Sequence, residues 1–266
     1  MENTPRNYIK PSPELEAQSL PSGKKLVAAV EPPPDDIDFP IGYQKGEGIE
    51  LPKSFWVIVS GGQDRERTYF KVLLGNDSFK RIKLQFVADP KRLNPNGMLE
   101  TSQTLKKRYS SSSADNEEPD RFYLISDVDH FYNNLVRIAP ACIKESFKLI
   151  ISNSCFEVWL YYAYRKELPD FKVPPDYRKI SWQFKGWLNK TIKGGIQTHQ
   201  AIFNIHENIS NAKAHYEADE NNIPKLFSTN MFQLAEDLLP LIEPELNQIM
   251  EKNKANELKG RMKNSD

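Results

Sequence analysis

Residues Phe122–Phe131 read FYLISDVDHF, and this stretch decides the fold. Phe122, Tyr123, Leu124 and Ile125, closed by Ser126, form a short apolar run with no polar alternation. That is the pattern of a strand buried on both faces, as in a parallel sheet. The run leads straight into Asp127 and Asp129. Open α/β sheets place their chemistry at the carboxyl ends of strands. In extended chain, side chains two residues apart point to one side, so both carboxylates can share a hard cation such as Mg²⁺. The plainer alternative is that one aspartate caps the next helix and the other is solvated.

Outward from this strand the same grammar repeats. Phe55–Val59 (FWVIV) is a buried strand that runs into Ser60-Gly61-Gly62-Gln63-Asp64-Arg65-Glu66. The glycines permit a tight turn, and a helix is predicted from about Asp64 to Gly75 with Tyr69, Phe70, Leu73 and Leu74 on its buried side. No Gly-Lys-Ser/Thr follows the glycines, so the turn is not a P-loop, nor is it a dinucleotide fingerprint. Ile82–Ala88 reads as a strand, Asn96–Tyr109 as a helix, and Ser110–Asp120 as a low-complexity loop. Beyond the aspartates come a helix over Tyr132–Glu145 containing Pro140, a buried strand at Phe147–Ile151, and a helix reaching about Arg165. Ser152 or Asn153 is the natural cap of that last helix, and Phe156, Trp159, Leu160 and Ala163 its apolar face.

The alternation across 55–165 predicts an α/β domain whose mainly parallel sheet is flanked by helices. Three strand ends then bring acidic groups towards one edge: the Gly61–Glu66 turn, the Asp127/Asp129 pair, and Glu157. Like charges held together are costly unless a cation joins them. Two-metal phosphodiester chemistry uses carboxylates in this way.

Composition bounds the function classes. Lys+Arg and Asp+Glu are both 36, so net charge does not advertise a nucleic-acid partner and any such signal must be local. Cys142 and Cys155 are the only cysteines, which fits reduced thiols and excludes a disulfide scaffold or a four-Cys zinc site. No apolar run approaches the ~18 residues of a membrane span, and MENTPRNYIKPSP has no signal-peptide core. A cytoplasmic protein with no membrane partner is expected.

Residues 1–50 hold eight of the 19 prolines, and nine acidic residues against five basic. They read as an extended or disordered arm, either solvated or ordering on a partner. The α/β core is expected over 51–165, a basic and aromatic segment with a helical extension over 166–250, and a charged, fraying tail over 251–266. Residues 165–195 carry eight Lys or Arg against Glu167, Asp170 and Asp176, interleaved with Phe171, Tyr177, Trp182, Phe184 and Trp187. Such a mixture suits nucleic acid, although aromatics so spaced more often pack as core. One helix is predicted over 198–219 and another over 229–250, the second capped by Ser228 or Thr229 and kinked or divided by Pro240 and Pro244. His199, His206 and His215 lack a metal-ligand spacing and are assigned to the surface.

The succession VIVSGGQDRERTYF (Val57–Phe70), FYLISDVDHF, IISNSCFEVWL (Ile150–Leu160), AIFNIHENISNAKAHY and FSTNMFQLAEDLL (Phe227–Leu239) resembles the RloB/AbiLii family of bacterial abortive-infection proteins. The likeness covers about residues 55–240, and Ser-Asn-x-Cys-Phe-Glu-x-Trp is its most specific piece. It implies a Toprim-like domain with a metal-dependent nuclease site, often beside an ATPase subunit of the same antiphage locus. By that resemblance Glu66 matches the second Glu of a Glu-Gly-x-x-x-Glu turn, Asp127 and Asp129 an Asp-x-Asp, and Glu157 the Glu of a Phe-Glu element. These four residues would hold Mg²⁺ or Mn²⁺. The first Glu of the family turn is Gly61 here, with Asp64 nearby as a substitute. A family lysine before the penultimate helix is also replaced, with Lys193 or His199 as stand-ins.

Two functions follow as expectations. The first is an antiphage nuclease acting on DNA or RNA through Glu66, Asp127, Asp129 and Lys193, controlled by a partner ATPase. The second is a catalytically degenerate module that serves as a structural or sensor subunit through protein binding. A second copy of the chain is a further candidate partner.

Overall fold

The computed structural model describes residues 54–111 and 119–263. The expected 1–50 arm and the centre of the Ser110–Asp120 loop lie outside the described residues. Strands β1 (Phe55–Ser60), β2 (Lys83–Val87), β3 (Arg121–Asp127) and β4 (Phe147–Ser152) alternate with helices α1 (Arg65–Phe70), α2 (Pro95–Ser111) and α3 (Tyr132–Lys144). Then follow α4 (Glu157–Tyr162), α5 (Ile180–Thr191), α6 (Ile205–Ala214) and α7 (Met231–Lys263), with single 3₁₀ turns at Tyr177–Lys179 and Ala201–Asn204.

The sheet is wholly parallel, in the order β2-β1-β3-β4. From β1 the chain moves outward to β2, and from β3 it moves outward to β4 on the other side. The order therefore reverses between β1 and β3, the switch point at whose carboxyl ends open α/β sheets place their ligands. Pairing of Ser60 with Ile125 brings the Gly61–Gly62 turn beside Asp127.

Both faces are covered, as the apolar strands require. Trp56, Ile58, Phe86, Tyr123, Ile125 and Ile150 join one continuous core with α1, α4, α5, α6 and α7. Val128, Tyr132, Leu135 and Ile151 pack on the opposite side, where α2 and α3 lie. The aromatics of 165–195 mostly serve this core, as composition suggested. Phe184 is fully buried, Trp187 stacks on it at 5.6 Å, and Phe171 meets both rings. Trp182 is the exception, at 74% exposure.

Several boundaries differ from the sequence expectation. α1 stops at Phe70 and gives way to turns that end on Gly75, whose φ of +68° suits glycine. Ser152 and Asn153 do not cap α4. The Ser152 hydroxyl bonds that of Thr229 at 2.8 Å, and the Asn153 amide donates to the Pro224 carbonyl at 2.8 Å. They bind the end of β4 to the segment before α7. The single helix expected over 198–219 is a 3₁₀ turn followed by the shorter α6. α7 runs unbroken through Pro240 and Pro244 and continues beyond residue 250 to Lys263. Pro244 has no N–H for the carbonyl of Pro240, and Nη1 of Arg81 donates to that carbonyl at 3.2 Å instead. No helix among the described residues is long and apolar enough to cross a membrane.

Candidate functional site

The site is built at the switch point between β1 and β3. The Gly61 N–H donates to the Ile125 carbonyl at 2.8 Å, extending the β1–β3 ladder by one residue. The Gly62 N–H donates to Ser60 Oγ at 3.1 Å and closes the turn. A Cβ on Gly61 would lie 2.8 Å from the Leu93 carbonyl oxygen and 3.3 Å from Met98 Sδ. A Cβ on Gly62 would lie 2.1 Å from Oε1 of Glu66. The Glu66 carboxylate thus folds back over Gly62, and the residue is only 6% exposed.

Asp127 ends β3 on the face of Tyr123 and Ile125, because side chains alternate along a strand. Glu157 opens α4 at 4% exposure. Its Oε2 lies 3.4 Å from Lys185 Nζ on α5, and its Oε1 lies 3.9 Å from Arg65 Nε on α1. Arg65 also donates to the Thr198 hydroxyl at 2.8 Å.

Charge couples these groups. Burial pushes the Glu66 carboxyl up from 4.5 to about 7, with Glu157 and Asp64 adding to the rise and its own backbone N–H and Lys185 opposing it. Burial also drives Asp127 well above the usual carboxylate range, reinforced by the charges of Glu66 and Glu157. Burial pulls the Lys185 ammonium down, but Cys155, Glu157 and Asp127 outweigh it and the net shift is upward. Cys155, fully buried beside them, is pushed up by burial and then by Glu157 and Asp127.

Asp129 stands to one side of this cluster. It takes up a left-handed φ of +30°, and its N–H donates to the Ser154 carbonyl at 3.1 Å. Its Oδ1 accepts from the Ser181 hydroxyl at 3.3 Å, and its Oδ2 lies 3.4 Å from His130 Nδ1. That contact raises the His130 pKa against the opposing effect of burial. The left-handed turn after β3 separates the directions of Asp127 and Asp129, which simple alternation would have aligned.

The sequence-predicted residues therefore divide. Glu66, Asp127 and Glu157 come together, and Asp129 borders them. Asp64 is exposed and contributes only its charge. Lys193 and His199 are exposed in the turns after α5. Lys185 is the lysine at the cluster, and sequence reasoning counted it only among the basic residues of 165–195. A signal was present. Ser181, Lys185 and Leu188 share one helical face with buried Phe184, so a lysine sits in an apolar stripe.

The donor set suits a divalent cation in its chemistry, since burial and neighbouring negative charge raise the Glu66 and Asp127 carboxyls, and a cation would compete there with the proton. Glu157 is already matched by Lys185 and Arg65. Among the described residues, no three His, Cys, Asp or Glu side chains are grouped so as to hold a metal ion.

No curated protein and no solved structure matches the chain. The family model described as RloB-like protein matches residues 56–238, which span the sheet, the carboxylate cluster, Lys185 and the start of α7. With more than half its length matched, including every strand end that carries the cluster, the chain belongs to the RloB-like family.

Proposed function

We propose that this chain is a Toprim-like, Mg²⁺- or Mn²⁺-dependent nuclease that hydrolyses phosphodiester bonds of DNA or RNA in antiphage defence. The observation that carries the reading is the convergence of Glu66, Asp127 and Glu157, with Lys185, at the switch point of a parallel sheet. Carboxylates forced together from three separate elements are expensive unless they serve a charged ligand.

Glu66 and Asp127 would hold the cation, with Asp129 at the border of the site. Bound there, a divalent cation supplies Lewis-acid stabilisation of phosphoryl oxygens and activates water. The chain's own residues do the rest. Lys185 pairs with Glu157 and presents fixed positive charge towards a substrate phosphate. Arg65 steadies Glu157 from the other side and is itself held by Thr198. Ser181 and the Ser154 carbonyl orient Asp129. A partner ATPase of the same defence system would control access to the site.

A second reading, a degenerate module that acts by protein binding, draws support from Gly61. The residue that replaces the family's first Glu is packed so closely that a Cβ would meet the Leu93 carbonyl oxygen at 2.8 Å.

The test is cleavage of labelled single- and double-stranded DNA and RNA by the full chain with Mg²⁺, Mn²⁺ or EDTA, alone and with its ATPase. Metal-dependent cleavage that disappears in Glu66→Gln and Asp127→Asn supports the nuclease. No cleavage under any of these conditions, or cleavage unchanged in both variants, rejects it.

A further inference from the structure

Trp182 is a large aromatic side chain that the fold leaves uncovered. It is 74% exposed, whereas Trp56 and Trp159 are buried to 1% and 0%. Its position in α5 is specific. Ser181, the preceding residue, donates to Asp129, and Lys185, nearly one turn on, pairs with Glu157. In sequence Trp182 thus falls between the two α5 residues that reach the carboxylates. Gly186, one turn further, adds no side chain, and a Cβ there would meet nothing within 4 Å. Beneath this end of the helix, Tyr177, Ser181, Asp129 and Ser154 line a small cleft.

The charge carried by α5 and the turn after it is positive. From Tyr177 to His206 the chain carries Arg178, Lys179, Lys185, Lys190 and Lys193 and no acidic residue. Asp176 engages Arg178 and Lys179 at the helix start, while Lys190 and Lys193 are exposed at the other end. Exposed lysines beside an exposed indole complement a polyanion that has aromatic faces to offer. A paired duplex keeps those faces stacked inside, and only an unpaired base can present one.

We propose that Trp182 is a stacking platform for an unpaired base of a single-stranded nucleic acid, whose backbone runs past Lys190 and Lys185 towards the carboxylate cluster. This rests on the nucleic-acid reading of the site and narrows its substrate to single strands or unpaired loops.

The experiment titrates the full chain and its Trp182→Ala and Trp182→Phe variants with labelled oligo(dT), oligo(U) and a blunt duplex of equal length. Affinity is read by anisotropy, and stacking by quenching of tryptophan emission. The wild type should prefer single strands. Trp182→Ala should weaken that binding by roughly ten-fold or more and lose most of the quenching, while Trp182→Phe keeps most of the affinity. Equal binding by Trp182→Ala and the wild type overturns the proposal, and so does a duplex bound as tightly as the single strands. Loss of ATPase association in Trp182→Ala with oligonucleotide affinity unchanged also overturns it, and marks the face as a protein interface. Asp127→Asn separates the two readings. Binding that depends on Trp182 without cleavage by any form of the protein rejects the nuclease and keeps the platform. Cleavage that needs Asp127 but is indifferent to Trp182 does the reverse.

Discussion

The ammonium of Lys185 lies 3.4 Å from Oε2 of Glu157, a carboxylate whose side chain is 5% exposed. One cation from α5 thereby neutralises the acid that opens α4. Removing Lys185 leaves a buried charge with Arg65, at 3.9 Å, as its remaining ion-pair partner. Lys185→Met should lower stability by about 1–3 kcal/mol and, under the proposed nuclease function, cleavage by about 100-fold or more. Adding Glu157→Gln should recover much of the stability and none of the activity. Thermal melts of the double-mutant cycle check this, and additive losses would show that the pair is not coupled.

The glycine turn makes opposite demands at its two positions. At Gly62 a methyl group would strike the Glu66 carboxylate, the movable end of a side chain, at 2.1 Å. Gly62→Ala should therefore fold, with a stability change of about 1 kcal/mol or less, yet displace Glu66 and weaken Mg²⁺ or Mn²⁺ binding about ten-fold or more. At Gly61 the obstacle is the Leu93 backbone carbonyl at 2.8 Å, which cannot swing away. Gly61→Glu should cost about 1–3 kcal/mol and gain no activity over the wild type. Calorimetric metal titration beside thermal melts separates the two behaviours, and a Gly61→Glu protein more active than the wild type would overturn the second.

β4 is an edge strand, and a single side chain treats that edge as a neighbouring strand would. The amide of Asn230 accepts from the Ile151 N–H at 2.6 Å and donates to the Leu149 carbonyl at 3.1 Å. Both backbone groups face an edge that would otherwise invite pairing with another chain. Asn230→Ala should destabilise by about 2 kcal/mol and promote aggregation on heating. Asn230→Asp keeps the acceptor and loses the donor, so its loss should fall between. Melting curves with light scattering test the order.

The strands and their parallel order were legible because they depend on apolar runs such as FWVIV and FKLII, which need two covered faces. The convergence of Glu66, Asp127 and Glu157 was legible for the same reason, since Asp127 ends a strand and Glu66 and Glu157 lie in the first turn of the helix that follows one. Lys185 was not, because its role depends on how α5 docks, and a linear count of basic residues does not reveal which one faces inward. The split between Asp127 and Asp129 was hidden in a backbone turn at φ +30°, where alternation ceases to hold. The passage of α7 through two prolines depends partly on Arg81, remote in sequence, which satisfies the Pro240 carbonyl. Helix ends and caps near β4 were misread because Ser152 and Asn153 bond to a distant segment rather than to the next turn.

The raised Glu66 pKa sets a pH dependence whose sign follows from proton linkage. Burial, with Glu157 and Asp64, lifts the folded value to about 7, while the ordinary value of 4.5 applies in the unfolded chain. Between these values the folded state holds a proton that the unfolded state has released. Unfolding then releases protons, and the Glu66 contribution to stability, fully present below pH 4.5, is lost as pH rises through about 7. Asp127 is shifted in the same direction, so it adds to the trend. The comparison that isolates the effect is wild type against Glu66→Gln, which mimics the protonated form at every pH. Glu66→Gln should match the wild type at pH 4.5 and exceed it by about 1–3 kcal/mol at pH 8. Mg²⁺ should reverse the order, stabilising the wild type at pH 8 and leaving Glu66→Gln unchanged, with protons released on binding below pH 7. Melts at several pH values, and metal titrations in buffers of different ionisation enthalpy, read both effects. Parallel stability curves for the two proteins across this window would contradict the assignment of Glu66 as a proton-holding, cation-competing carboxylate.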